Sequence, residues 1–490
     1  MGDTGALLHA QIAAIGRSSA DRREAAAVVA RRIVWGGIAV YVLLFVGAAV
    51  VAYLNYDVSR LDLGDMVQAV WSTAHGRFLE TTNGPGHQVS RLGYHVDPFL
   101  ALFVPLWFIW PSALMLVVVE IAAIALGALP VFWLARKHLA SERSAVYLTF
   151  AYLAYPAVQF NALGISESVH AVSFAIPLIL FAIWFLDEER LVPFAVCAIL
   201  AATTKEEIAF SVGCLGLWYA VRHRRTAVGL TIFAAGATVS LVNFLVVIPH
   251  FSPTGANQFA GRYAAIGGTP RGVLHTALTD PATIFDTVAT RHKLFYAALL
   301  FVPFLGLWML EPLLFLGALP DLAINLLSSK PEQTQVYYQY TAGIVPFVVA
   351  ASILAIPKIR RKTDRVSLAA FLSVALLLSL SPITRVAEID LSPVFQADDV
   401  HAAKAAALAM IPTDAPVSAT NDLGGRLSAR RFIYIFPVRR FADWVVLSED
   451  DKDAKKHPVR FRRQVAAINA NRSWRVVYRS HGVQVLHRRS

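Results

Sequence analysis

The sequence predicts an all-α polytopic membrane protein with about eleven transmembrane helices and a small α/β domain after them. Three observations predict it. Of the 490 residues, 56% are hydrophobic and only 16% are charged, against roughly 25% charged in an ordinary soluble domain. Several apolar runs, among them Ile33–Leu54 and Ser112–Leu134, reach the roughly 20 residues needed to cross a ~30 Å hydrocarbon core. Beyond residue 385 the charge density rises abruptly, and short strand-like runs replace the long apolar ones.

The net charge is +11 and the pI near 9.7. In a soluble protein that balance suggests nucleic acid. Here the basic residues lie in short loops between apolar runs and in the tail, where they read as orientation signals and contacts for anionic headgroups. A nucleic-acid partner is not expected. Cys197 and Cys214 each fall inside an apolar run, so packing is the expected role.

Lys and Arg counts orient the chain. Residues 1–31, with Arg17, Arg22, Arg23 and Arg31, form a cytoplasmic arm without the apolar core of a signal peptide. Residues 32–384 form the membrane domain. Span one is about 33–54, and the polar segment 55–95 follows outside. Pro98–Trp110 is apolar but too short to cross, so it reads as an interfacial or re-entrant helix. Span two is about 112–135. Spans three to seven follow at about 144–162, 171–186, 191–204, 208–221 and 226–248. An outer segment, 249–291, contains one amphipathic piece near 278–290. Spans eight and nine, about 293–310 and 312–327, hinge at Glu311-Pro312. Span ten is about 340–356 and span eleven about 366–381.

That count puts residues 385–490 outside, with 18 Lys and Arg against 11 Asp and Glu. Strands are expected at 432–436, 444–447 and 483–486, and a helix at about 400–410. Asn421-Asp422-Leu423-Gly424-Gly425 reads as a turn before a strand, because it lacks phosphate-loop spacing.

Ionisable groups near a bilayer are costly, roughly 2.5–3.5 kcal/mol at a helix centre, so their placement carries information. In this topology they gather at the outer face: Asp57, Asp62 and Asp65 after span one, His95 and Asp97 closing the first loop, Glu167 and His170 before span four, Lys205, Glu206 and Glu207 between spans five and six, Arg262 and Tyr263 in the second long loop, and Tyr337, Tyr338, Gln339 and Tyr340 before span ten. Each has a plain structural reading as well. Asp62 and Asp65, three apart on one helical face, suit a helix N-terminus; Lys205 and Glu206 suit an ion pair; the tyrosines suit an interfacial aromatic belt. The convergence of five loops on one face points instead to an outward-facing active site.

At these positions the sequence resembles a known family. The carriers are Leu61-Asp62-Leu63-Gly64 with Gln68-Ala69-Val70-Trp71, Gly93-Tyr94-His95, Tyr155-Pro156-Ala157-Val158-Gln159, Thr204-Lys205-Glu206-Glu207, Arg262-Tyr263, and Leu327-Ser328-Ser329 through Tyr338-Gln339-Tyr340-Thr341-Ala342 to Pro346-Phe347. Together they resemble a predicted bacterial membrane-protein family of unknown function, grouped with the GT-C glycosyltransferase superfamily. The resemblance implies a GT-C-like fold with interfacial helices in the first outer loop. It also implies transfer of a sugar from a polyprenyl-phosphate donor to an extracytoplasmic glycan, lipid or protein acceptor, at a bacterial plasma membrane.

Under that resemblance Asp62, with Asp65, is the catalytic acid pair. His95, Asp97, His170, Lys205, Glu206, Glu207, Arg262, Tyr263, Tyr338 and Gln339 bind the donor phosphate and substrate. A divalent cation (Mg or Mn) is used by some members and not by others; Asp62 and Asp65 would be its ligands. The chain departs from the family pattern at Val67, where relatives carry a second acid, and at Ala171, where His170 lacks an adjacent Glu. Two other readings compete. A transporter or flippase would place charges near the midplane on paired repeats, whereas here they sit at helix ends. A non-catalytic scaffold or sensor would act through the tail.

Overall fold

The computed structural model describes residues 3–163, 169–255, 258–360, 375 and 399–489. Glu167 and, Ala375 apart, span eleven lie outside the described residues. A helix over Asp3–Leu54 opens the chain. It runs unbroken through residues 31 and 32, so the expected arm and the first span are one element. Val34, Ile38, Tyr41, Phe45, Ala49 and Ala52 are buried along one stripe, while Leu43, Leu44 and Val40 on the other faces are exposed. An apolar helix without a polar face is stable only if lipid covers that exposed side.

Among the described residues, Glu24–Leu54, Ala113–Leu139 and Thr226–Phe251 are long and apolar enough to cross a membrane. Shorter apolar helices cover Pro98–Ile109, Ala171–Asp187, Leu191–Ala202, Ile208–Arg222, Pro312–Leu327 and Val345–Ile359. These match the expected segments, including the short piece after residue 98. Two expected spans are broken. Span three divides into Glu142–Ala154 and Pro156–Ala162, with Tyr155 extended between them, because Pro156 cannot donate backward and forces its predecessor out of helix. Span eight ends at Phe304, where Leu305 and Gly306 both take left-handed backbone. The helices Ile208–Arg222 and Thr226–Val242 cross at glycines. A Cβ on Gly216 would lie 2.2 Å from the Gly229 carbonyl oxygen, so small residues set this close approach.

The long loop after the first helix folds over the end of this bundle. It comprises a π-helical turn Arg60–Gly64, a helix Asp65–Ala74, and a hairpin of β1 (Glu80–Thr82) against β2 (Gln88–Ser90). The amphipathic piece expected near 278–290 is two helices, Pro270–Thr279 and Pro281–Val288.

The C-terminal domain is α/β, as expected. Its strands are β3 (Val417–Ala419), β4 (Ile433–Ile435), β5 (Trp444–Ser448), β6 (Trp474–Ser480) and β7 (Val483–Arg488), in the order β4-β3-β5-β7-β6. β3 runs parallel to β4 and β5, and β7 runs antiparallel to β5 and β6. The helix expected at 400–410 spans Asp399–Ala409. Asn421–Gly424 is a short helix rather than the expected turn. Its carbonyl and amide groups stay within one helical turn, with Gly424 N–H donating to the Thr420 carbonyl at 2.8 Å.

This domain docks on the loop that carries Arg60 and the β1–β2 hairpin. Asn421 Oδ1 accepts from the backbone N–H of Arg60 at 2.9 Å and of Leu61 at 3.2 Å, and lies 3.3 Å from Ser59 Oγ. Those amides open a helical turn and have no intrahelical acceptor, so Asn421 caps the turn from a distant part of the chain. Gln68 Nε2 donates to the Arg430 and Arg431 carbonyls at 3.1 and 2.8 Å. The surfaces meet closely: a Cβ on Gly64 would lie 2.4 Å from Ser428 Oγ.

Replacing Asn421 by Ala removes the shared acceptor. We expect the Arg60 amide to exchange hydrogen at least tenfold faster, equivalent to about 1–3 kcal/mol for an orphaned buried donor. Unchanged protection in a hydrogen-exchange measurement would show that the cap is dispensable.

Candidate active site

Where the loops carrying the ionisable residues converge, the structure contains two adjoining chambers. The first, of about 560 Å³, is polar. Asp62, Asp65, Arg91, Tyr94, His170 and Lys330 are among its lining residues. The second, of about 480 Å³, has mostly apolar walls, including Phe244, Val273, Ala323, Ile324 and Leu327, with Lys205, Glu206 and Glu207 at one end. His95, Phe259, Arg262 and Tyr340 line both and form the passage between them.

One acid of the first chamber, Asp65, is positioned by a buried cation. Arg60 is 1% exposed. Its guanidinium pairs with Asp65, donates to Gln68 Oε1 at 2.8 Å, and donates to the Thr82 carbonyl at 3.2 Å. Asp65 is therefore held on the wall by Arg60. Asp62, half-buried in the same turn, has no ion-pair partner among the described residues and accepts from Ser59. Burial raises the Asp62 carboxyl above the usual carboxylate range, and the nearby charge of Asp65 adds to the shift; Ser59, Lys330 and Arg91 act more weakly in the other sense. As the sequence predicts, both acids reach the cavity. They do not present two free carboxylates, so the pair does not fit a shared divalent cation. Among the described residues, no cluster of three or more His, Cys, Asp or Glu side chains has a ligating geometry.

The passage is built on Glu206. Its Oε1 lies 3.1 Å from His95 Nδ1, and its Oε2 accepts the Val96 amide at 3.0 Å. His95 stacks on Phe259, with ring centroids 5.0 Å apart. Arg262 lies over the other side of the junction, 4.1 Å from the Phe259 ring centre, and donates to Gln333 Oε1 at 3.1 Å. Burial opposes the charge of Glu206, but His95 and Lys205 outweigh it and hold the carboxyl below its usual range. Lys205 is partly buried, pairs with Glu207, and sits 5.9 Å above the Tyr340 ring. Despite burial, the acids around it raise its ammonium above the usual lysine range. A lysine whose acidic neighbours favour its charged form thus lines the apolar chamber.

Other expected residues fall outside these roles. Asp97 is 2% exposed and holds Arg91, whose Nε donates to it at 2.6 Å; Arg91, not Asp97, reaches the cavity. Tyr338 is absent from both walls and packs near Tyr340, 6.3 Å between ring centres. Tyr263 lines the apolar chamber and donates to the Ile324 carbonyl at 3.1 Å, and Gln339 lines the polar one. Burial and the positive Arg91, His95 and Lys205 bring the His170 imidazole down to about 3, so it is neutral at ordinary pH.

Sequence reasoning missed Arg60, Arg91, Lys330 and, from the C-terminal domain, Ile433 and Ile435, all of which line the polar chamber. Lys330 was the one of these with a local signal, being a lysine directly after the Leu327-Ser328-Ser329 stretch.

Residues 54–485 match the family described as a predicted membrane protein (DUF2079). The chain belongs to that family. No curated protein matches it. Among solved structures it is similar to ArnT from Cupriavidus metallidurans bound to undecaprenyl phosphate, at 12% identity and a TM-score of 0.50, covering 91% of this chain and 97% of that one. The apo state of the same protein matches with 13% identity, the same TM-score and the same coverage. The fold is therefore ArnT-like, the GT-C-like class expected from the sequence, in a membrane protein.

Arg60→Met leaves Asp65 and Gln68 without their donor. Breaking a buried pair in this way costs about 3–5 kcal/mol, so thermal unfolding in detergent should fall by several degrees. An unchanged midpoint would remove Arg60 from its central place.

Proposed function

We propose that the chain is a membrane glycosyltransferase that moves a sugar from a polyprenyl-phosphate-linked donor to an extracytoplasmic acceptor, with inversion. The observation that carries this reading is the junction of two unlike chambers, one holding a half-buried carboxylate with no ion-pair partner among the described residues and the other apolar with the partly buried cations Lys205 and Arg262 on its lining. A polyprenyl chain suits the apolar walls. A phosphate suits Lys205 and Arg262. The undecaprenyl phosphate bound to ArnT in the similar structure supports this assignment of the donor.

In this scheme the sugar C1 lies at the passage, between His95 and Arg262. The acceptor hydroxyl enters the polar chamber and attacks C1 from the side opposite the phosphate. Asp62 takes the hydroxyl proton as the C–O bond forms; the C1–O–phosphate bond breaks and the lipid phosphate leaves. One displacement with one base inverts the anomeric centre. Charge develops on the departing phosphate, and fixed cations beside it stabilise that charge in the transition state. Lys205 is suited to this role because its acidic neighbours keep it protonated. Asp65 acts by orienting Arg60 and by its charge on Asp62, not as a second base. The outward orientation of these loops and of the C-terminal domain, with the N-terminus cytoplasmic, is part of the same proposal.

Asp62→Asn should lower transfer by roughly 10²–10⁴-fold with an unchanged unfolding midpoint, measured as release of polyprenyl phosphate from lipid-linked sugars in reconstituted membranes. Full transfer by that variant would end the assignment of Asp62 as base.

A base works only when deprotonated, so a raised Asp62 pKa puts the acid limb of the rate profile above that of an ordinary carboxylate. Asp65→Asn removes a neighbouring negative charge, which lowers the Asp62 pKa. The acid limb of kcat/KM should then move to lower pH. A shift to higher pH, or none, would show that Asp65 does not act on the base.

A further inference from the structure

The C-terminal domain contributes a wall to the polar chamber, and that wall leads outward to a basic and aromatic surface. β4 is the edge strand of its sheet. Ile433 and Ile435 on β4 line the chamber that holds Asp62. Side chains two apart in an extended strand share a face, so the residue before them on that face is Arg431, just outside the strand. Its guanidinium is half in solvent, 5.1 Å from the Phe432 ring centre. Phe432 packs edge-on against Phe441, which is 65% exposed. Glu80 sits between Arg431 and Arg77, at 3.5 and 3.4 Å, and so leaves this trio net positive. Arg440 completes the rim by donating to the Pro85 carbonyl at 2.8 Å and to His87 of the β1–β2 hairpin.

We propose that this rim is the acceptor entry site and that it takes an anionic saccharide. The proposal rests on the transferase reading and adds the class of acceptor. Two features select that class. The surface carries arginines, which match carboxylate or phosphate groups through paired N–H donors, beside the exposed Phe441 ring and the partly buried Phe432, which suit the apolar faces of sugars. It is also continuous, along one face of β4, with the chamber containing the base. A negatively charged sugar unit held at Arg431 would place a neighbouring unit against Ile433 and Ile435, with its hydroxyl directed toward Asp62. The domain that docks on the catalytic loop would thereby also present the acceptor to it.

The full chain, reconstituted in neutral phosphatidylcholine nanodiscs, tests this with fluorescent polygalacturonate oligomers as probe. We expect binding that uncharged dextran oligomers do not compete for, and a loss of affinity of at least tenfold in Arg431→Gln/Arg440→Gln. Arg475→Gln/Arg479→Gln removes the same charge from β6, the opposite edge of the sheet, and should stay within twofold of the parent. Equal losses in both double variants would reduce the effect to net charge and overturn the proposal. So would competition by dextran, or a rim variant that loses binding to phosphatidylglycerol vesicles but not to the oligomers, which would make the rim a lipid-headgroup contact. If the parent binds them yet releases no polyprenyl phosphate from lipid-linked sugars, the transferase reading fails while the saccharide surface stands.

Discussion

A buried arginine organises this molecule's functional face. Arg60 carries its charge into a region where an unpaired ion would cost several kcal/mol, and it is tolerated because Asp65, Gln68 and the Thr82 carbonyl surround it. Those three partners belong to a helix and a hairpin that otherwise share no regular ladder. Satisfying one guanidinium therefore fixes the loop that carries Asp62. Gln68 passes the constraint on, since its amide also donates to the Arg430 and Arg431 carbonyls. Asn421 closes it from the other side by capping the Arg60 turn. The C-terminal domain is in this sense part of the loop's structure.

The same economy governs the passage between the chambers. Glu206 spends one carboxylate oxygen on His95 and the other on a backbone amide, so His95 is oriented by a group that is itself fixed. Phe259 is then held between the imidazole and the Arg262 guanidinium. Charged groups keep their charge here because each has an opposite neighbour: Lys205 with Glu207, Arg91 with Asp97. Among the described residues Asp62 is the acid of the polar chamber without an ion-pair partner, and burial raises its carboxyl above the usual carboxylate range.

Much of the candidate site was legible because loops bearing chemistry stood out against apolar spans. Lys205, Glu206 and Glu207 are conspicuous between two short hydrophobic helices, and Arg262 follows a long run without charge. Asp97 was misread for the same reason: a carboxylate near the bilayer signals a constraint, but only packing shows whether it faces a cavity or a buried arginine. β3 escaped notice because it is buried on both faces between parallel neighbours, which erases the alternation that marks a half-exposed strand. β4 was visible as a strand, yet nothing local connects Ile433 or Ile435 with a residue more than 360 positions earlier.

The sequence by itself determined the apolar spans, their approximate ends, the α/β character of the last hundred residues and the side on which the ionisable groups collect. It did so because hydropathy and charge act locally, over lengths set by a bilayer and by helix and strand periods. Only the tertiary structure decided which of those groups are partners and which are free. Whether Asp65 is an acid or an anchor depends on where Arg60 points, and where Arg60 points depends on a hairpin and a distant domain. Pairing of buried charges is a property of three-dimensional neighbours, and those neighbours are set by long-range packing that no local pattern encodes.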